Sequence, residues 1–161
     1  MKKTLTVLIV LLTFLTIPPV LATPKTKTSF TSNVTLGAGN SSMGTQVIEG
    51  DMLYVTEAVS TGTITGDIAG TLWTKLSGLG NLTIMQGSFQ GKFRIDTIEG
   101  ETFQGTVAGT VSGNSVSGSF VGLGNGTYDR QKIKGSFGGS VEYGVLNVNL
   151  IMTGLLTSKD P

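Results

Sequence analysis

The sequence predicts an all-β protein, an antiparallel closed or nearly closed β-barrel of about eight strands with a glycine-rich inner face, behind an N-terminal signal peptide. Three observations carry this expectation. Several segments alternate apolar residues with glycine on one strand face. No segment repeats apolar residues with the 3.6-residue period of a helix. Turn-forming clusters separate the segments at short intervals.

The chain of 161 residues opens with Lys2 and Lys3, an apolar run from Leu5 to Leu15, and the helix-ending pair Pro18 and Pro19. Val20-Leu21-Ala22 fits the small-residue rule for signal-peptidase cleavage. The apolar run is shorter than the ~20 residues of a bilayer-spanning helix. Residues 1–22 therefore read as a cleaved signal peptide and residues 23–161 as one barrel domain, with 23–27 a leader and 157–161 a tail. The location implied is export: extracellular, cell-surface or periplasmic. Membrane contact would come only through the signal segment if it stayed uncleaved.

Within the domain, Thr26 to Leu36 places Phe30, Val34 and Leu36 on one face, and Met52 to Val59 is a second strand. Gly62, Ile64, Gly66, Ile68, Gly70 and Leu72 share a face, opposite Thr63, Thr65, Asp67 and Thr71. Gly87, Phe89, Gly91, Phe93 and Ile95 oppose Ser88, Gln90, Lys92 and Arg94. The run from Phe103 to Gly122 reads as two strands turning at Gly113-Asn114, with Val107, Val111, Val116 and Phe120 in phase with the glycines. Ile133, Gly135, Phe137, Gly139 and Val141 form one more face, and Leu146, Val148, Leu150, Met152 and Leu156 the last. Turns are expected at 40–44, 77–81, 99–101, 113–114 and 122–126. Glycine weakens a flat strand, but strongly coiled strands need kinks, and small barrels alternate large and small interior residues. A membrane barrel would turn the same apolar face to lipid, but it carries aromatic girdles, whereas aromatics here are 7% and scattered.

Composition excludes several activities. The chain has no histidine and no cysteine, which removes Ser-His-Asp and Cys-His nucleophilic machinery and nearly all zinc or copper sites. Loss of Lys2 and Lys3 leaves a mature chain of net charge about −1, with no basic stripe to track phosphates, so no nucleic-acid partner is expected. No Asp-x-Asp-x-Asp-Gly loop is present, and the glycines from Gly122 to Gly126 open a strand where a phosphate site needs a helix. No metal and no cofactor are expected.

The segment Gly124-Asn125-Gly126-Thr127-Tyr128, followed by Ile133-Lys134-Gly135-Ser136-Phe137, resembles the allene oxide cyclase and dirigent-type barrels, with a wider gap between Tyr128 and Gly135 than those families show. The resemblance implies an eight-stranded barrel, often oligomeric, and transfers no catalytic residue.

Glu57 is the candidate for an interior acid. Counted from Leu53, Val55 and Val59 it falls on the apolar face, where desolvation would suit it to general acid–base work. Counted back from Gly62 and Ile64 it falls outside, and Met52, Tyr54, Thr56 and Ala58 fall inside. A bulge near Ser60-Thr61 would reconcile the first count with the next strand. Tyr54, Trp73, Tyr128 and Arg130 are the candidate ligand contacts, Trp73 also being a candidate oligomer contact. Asn33, Asn40, Asn81 and Asn125 stand in Asn-x-Ser/Thr sequons, the acceptor pattern for glycosylation. The leading functional expectation is an exported, non-enzymatic barrel that binds a small apolar ligand. The alternatives are an isomerase or cyclase of the resembling type and a surface structural or adhesive protein acting through homo-oligomerisation.

Overall fold

The computed structural model describes residues 26–37, 41–126, 131–142 and 147–158. Residues 1–22, Asn40, Tyr128, Arg130, Leu146 and residues 159–161 lie outside these segments. Nine strands form one sheet: β1 (Lys27–Leu36), β2 (Thr45–Glu49), β3 (Met52–Gly66), β4 (Gly70–Asn81), β5 (Gln86–Thr97), β6 (Thr102–Ser112), β7 (Ser115–Asn125), β8 (Lys132–Glu142) and β9 (Asn147–Thr157). Consecutive strands from β3 to β9 pair antiparallel, β9 pairs with β1, and β1 pairs with β3. The ring of eight strands is thereby closed. β2 stands outside it, paired with the first residues of β3.

The register shows how the ring is staggered. Following partners from Leu53 leads through Gly80, Gly87, Val111, Val116, Gly139, Leu150 and Val34 to Ile64. One circuit thus returns to β3 about ten residues along, once its bulge residue is discounted, and such stagger tilts the strands of a small barrel. Every residue on this path faces inward, and glycines recur along it. At Gly87 and Gly139 a Cβ would run into the backbone of the neighbouring strand, and at other inward glycines it would meet both that backbone and a phenylalanine ring. A Cβ built at Gly109 would stand 2.6 Å from Cζ of Phe89, and one at Gly122 or Gly135 would stand 2.8 Å from Cζ of Phe93 or Phe120. These last glycines are seats into which rings of neighbouring or opposite strands fit. The rings meet one another in tilted and edge-on pairs, Phe93 and Phe120 at 5.9 Å and Phe30 and Phe120 at 6.2 Å.

Outward positions carry Thr, Ser, Gln, Lys and Arg, as in Ser88, Gln90, Lys92 and Arg94 of β5. The apolar phase of these strands is therefore the interior lining.

Three sequence expectations are corrected by the structure. The run from Gly62 to Leu72 is divided between β3 and β4 by a turn at 67–69. Gly66 and Gly70, at φ 124° and 155°, take the chain round it, and Ile68 keeps its inward phase because it folds into the end of the barrel. The cluster 77–81 is the end of β4, and the turn follows at 82–85; likewise β7 runs through Gly122 to Asn125. The bulge lies between Val55 and Ala58, not at Ser60-Thr61.

Candidate functional site

The two ends of the barrel differ. At the first, which we call the floor, the β3–β4 turn is clamped from within. Ser32, buried on β1, donates its Oγ–H to the Ile68 carbonyl at 3.0 Å and accepts the Ile68 N–H at 2.9 Å. The Asp67 carboxylate accepts the Thr31 N–H at 2.8 Å, and Ile98 N–H donates to Ala69 O at 3.0 Å, joining the turn to the β5–β6 connection. Ile68 then closes the end over a layer of Ile64, Leu72, Ile95, Phe103 and Ile133, all buried. These residues come from five different elements, so the plug is a tertiary construction.

At the opposite end, the mouth, the described connections hydrogen-bond to one another. Leu82 N–H donates to Asp51 O at 2.8 Å, and Gly113 N–H donates to Met85 O at 2.8 Å. Asn81 Oδ1 shapes the β4–β5 loop by accepting the Thr83 and Ile84 N–H groups at 2.9 and 3.1 Å. Between floor and mouth lies a cavity of about 300 Å³, lined by Leu72, Leu76, Phe89, Phe93, Val107, Val111, Phe120, Phe137, Leu150, Met152 and their neighbours. A second hollow of about 250 Å³ adjoins it at Leu76, Phe89 and Val111 and runs out under Leu53, Leu82 and Met85. Ser60 and Thr74 are the only hydroxyl-bearing residues among those lining the larger cavity, and none of its described lining residues is ionisable. The arrangement can hold an uncharged hydrophobic body and has no described acid or base positioned to act on it.

The candidate residues distribute differently from expectation. Glu57 lies outside the barrel. It is the second residue of the β3 bulge, at φ 59°, with its N–H donated to Ser77 Oγ at 3.1 Å and its carboxylate paired with Lys75 Nζ at 2.7 Å. The bulge puts two successive residues, Thr56 and Glu57, on the solvent side, so that Leu53 and Val55 before it and Ala58 and Ser60 after it all face inward. Neither simple count along the strand reproduces this. Tyr54 is correspondingly outside, an exposed register neighbour of Val47 and Leu79, and does not line the cavity. Trp73 also points outward, half-buried, between Thr61 and Arg94 on the adjacent strands. Tyr128 and Arg130 lie outside the described residues.

Of the sequons, Asn33 is exposed in mid-strand on β1, Asn81 ends β4, and Asn125 ends β7 with its Oδ1 accepting the Gly126 N–H. Asn40 lies outside the described residues. Sequence reasoning missed Ser60 and Thr74 as cavity residues. The signal for Thr74 was its place two residues from Leu72 in the same phase; for Ser60 it was its place two residues before Gly62 in the same phase, obscured by the bulge expected at Ser60-Thr61.

The fold and interior define a closed eight-stranded antiparallel barrel with one additional strand and an apolar cavity. No protein-family model matches the chain, and no curated protein matches it.

Proposed function

We propose that this is an exported, non-enzymatic barrel that binds a compact apolar molecule in its interior. The observation that carries the reading is the cavity of about 300 Å³ bounded by aliphatic and phenylalanine side chains, at the lower end of the range for ligand sites. An engineered apolar cavity of ~150 Å³ takes up benzene, so this one suits a skeleton on the order of ten to fifteen carbon atoms. The isomerase or cyclase alternative calls for a carboxylate inside the barrel. No described Asp or Glu is buried, and Glu57 points to solvent, which favours the binding reading. Self-association through Trp73 gains no support from its half-buried place between Thr61 and Arg94.

Naphthalene, followed by its own emission, tests the proposal. The expected result is saturable one-site binding that is lost in Val111→Trp, whose indole would fill the junction of the two hollows, while circular dichroism stays that of the parent. Absence of saturation in the parent protein, or equal binding by the variant, would overturn it.

A further inference from the structure

We infer that the ligand carries a single neutral oxygen function, an alcohol, ether or carbonyl, and enters with that group leading, to meet the Ser60 and Thr74 hydroxyls near the floor. This inference rests on the binding reading above and names the chemistry of its ligand.

Ser60 and Thr74 are cross-strand partners on β3 and β4, and Thr74 is in turn the partner of Phe93 on β5. Both side chains lie on the inward phase. Thr74 is buried, and its Oγ–H reaches the Ser60 carbonyl at 3.4 Å. That separation is well beyond the usual 2.7–2.8 Å of a good O–H···O bond, so the hydroxyl is only weakly engaged. Contrast Ser32, whose hydroxyl both donates and accepts at 2.9–3.0 Å in holding Ile68. One buried hydroxyl is spent on the fold, while the other has hydrogen-bonding capacity left over in an otherwise apolar lining.

The position gives direction. Leu72, two residues from Thr74 towards the floor, belongs to the buried floor layer, whereas Leu76, two residues towards the mouth, borders both hollows. The hydroxyl pair therefore sits deep, and the aliphatic lining at Val111, Val116 and Val148 lies towards the mouth. A ligand with a polar tip would bury that tip against the pair and leave its hydrocarbon body in the wider part.

Charge narrows the class further. No described residue of the lining is ionisable, so a carboxylate or ammonium would lose its hydration without gaining a counter-ion. A neutral oxygen loses less, and the hydroxyls restore its hydrogen bond.

The test compares naphthalene, 2-naphthol and 2-naphthoate at pH 7 on the intact protein, on Thr74→Val, on Thr74→Ser and on Ser60→Ala/Thr74→Val. The expected result is that the preference for naphthol over naphthalene, taken as a ratio within each protein, falls about tenfold in the double variant. Thr74→Ser should retain the preference, which separates a lost hydroxyl from a disturbed fold, and naphthoate should bind at least about tenfold more weakly than naphthol. An unchanged preference in the double variant, or naphthoate binding as tightly as naphthol, overturns the inference and leaves the cavity reading standing. Failure of all three compounds to bind the parent protein overturns both.

Discussion

A phenylalanine ring and a missing Cβ are the recurrent pair of this protein. Gly109 lies against Phe89, Gly122 against Phe93 and Gly135 against Phe120, at separations that leave no room for a methyl group. The alternation of glycine with large apolar residues is thus an exchange of volume between strands, more than a source of flexibility. Gly109→Ala should destabilise the fold by about 1–3 kcal/mol, the usual cost of overpacking, read as a lower urea midpoint at unchanged slope. An equal stability would show that the Ser117 carbonyl and the Phe89 ring, 2.5 and 2.6 Å from the added Cβ, both give way freely. The same scale explains why Glu57 misleads a reader of the sequence. Its left-handed backbone is costly for a non-glycine residue, and the local devices that hold it are the Ser77 hydroxyl and Lys75. Both belong to the neighbouring strand, so nothing adjacent in the sequence announces the bulge.

Among the elements, strands with a strict alternation were legible in phase, although the end of β7 read as a turn. β5, β6, β7 and β8 follow the inward and outward phases read from residues 87–95, 103–113, 116–122 and 133–141. The errors fall where tertiary contacts override local signals. Gly66 to Gly70 continues the strand pattern in sequence, yet the chain turns there because Ser32 and Thr31 of β1 and Ile98 of the β5–β6 connection hold it. Conversely, Ser77-Gly78-Leu79-Gly80-Asn81 has the composition of a turn but pairs throughout with β5 and, from Gly78 to Asn81, with β3 as well. The short β2, with all five residues exposed, has no buried phase to reveal it. The cavity's aliphatic lining was foreseeable from the inward residues; its hydroxyl pair shares their phase, Thr74 with Leu72 and Ser60 with Gly62, but was not singled out. Ser32 tests the floor turn as a unit. Ser32→Ala leaves the buried Ile68 N–H without its acceptor, and stability should fall by about 1–3 kcal/mol, measured by chemical unfolding. A change below about 0.5 kcal/mol would mean that the clamp is dispensable.

For the molecule as a whole, closure is the least extensive part of the construction. The β1–β3 seam is made by Ser32 to Leu36 against Gly66 to Gly62, while β6 and β7 are paired along their whole length from Thr102–Asn125 to Ser112–Ser115. Local opening follows the regions with fewest supporting contacts. Hydrogen exchange should therefore release the paired backbone amides of the seam before those of β6 and β7. Uniform protection round the ring would show that the barrel opens only by global unfolding.

The difference between the two ends has a consequence for traffic. With Ile68 sealing the floor, whatever enters past Val111 must leave by the same route. On the binding proposal the barrel would be a vial, not a pipe: a cargo would enter and leave at one port, and the mouth would set its residence time.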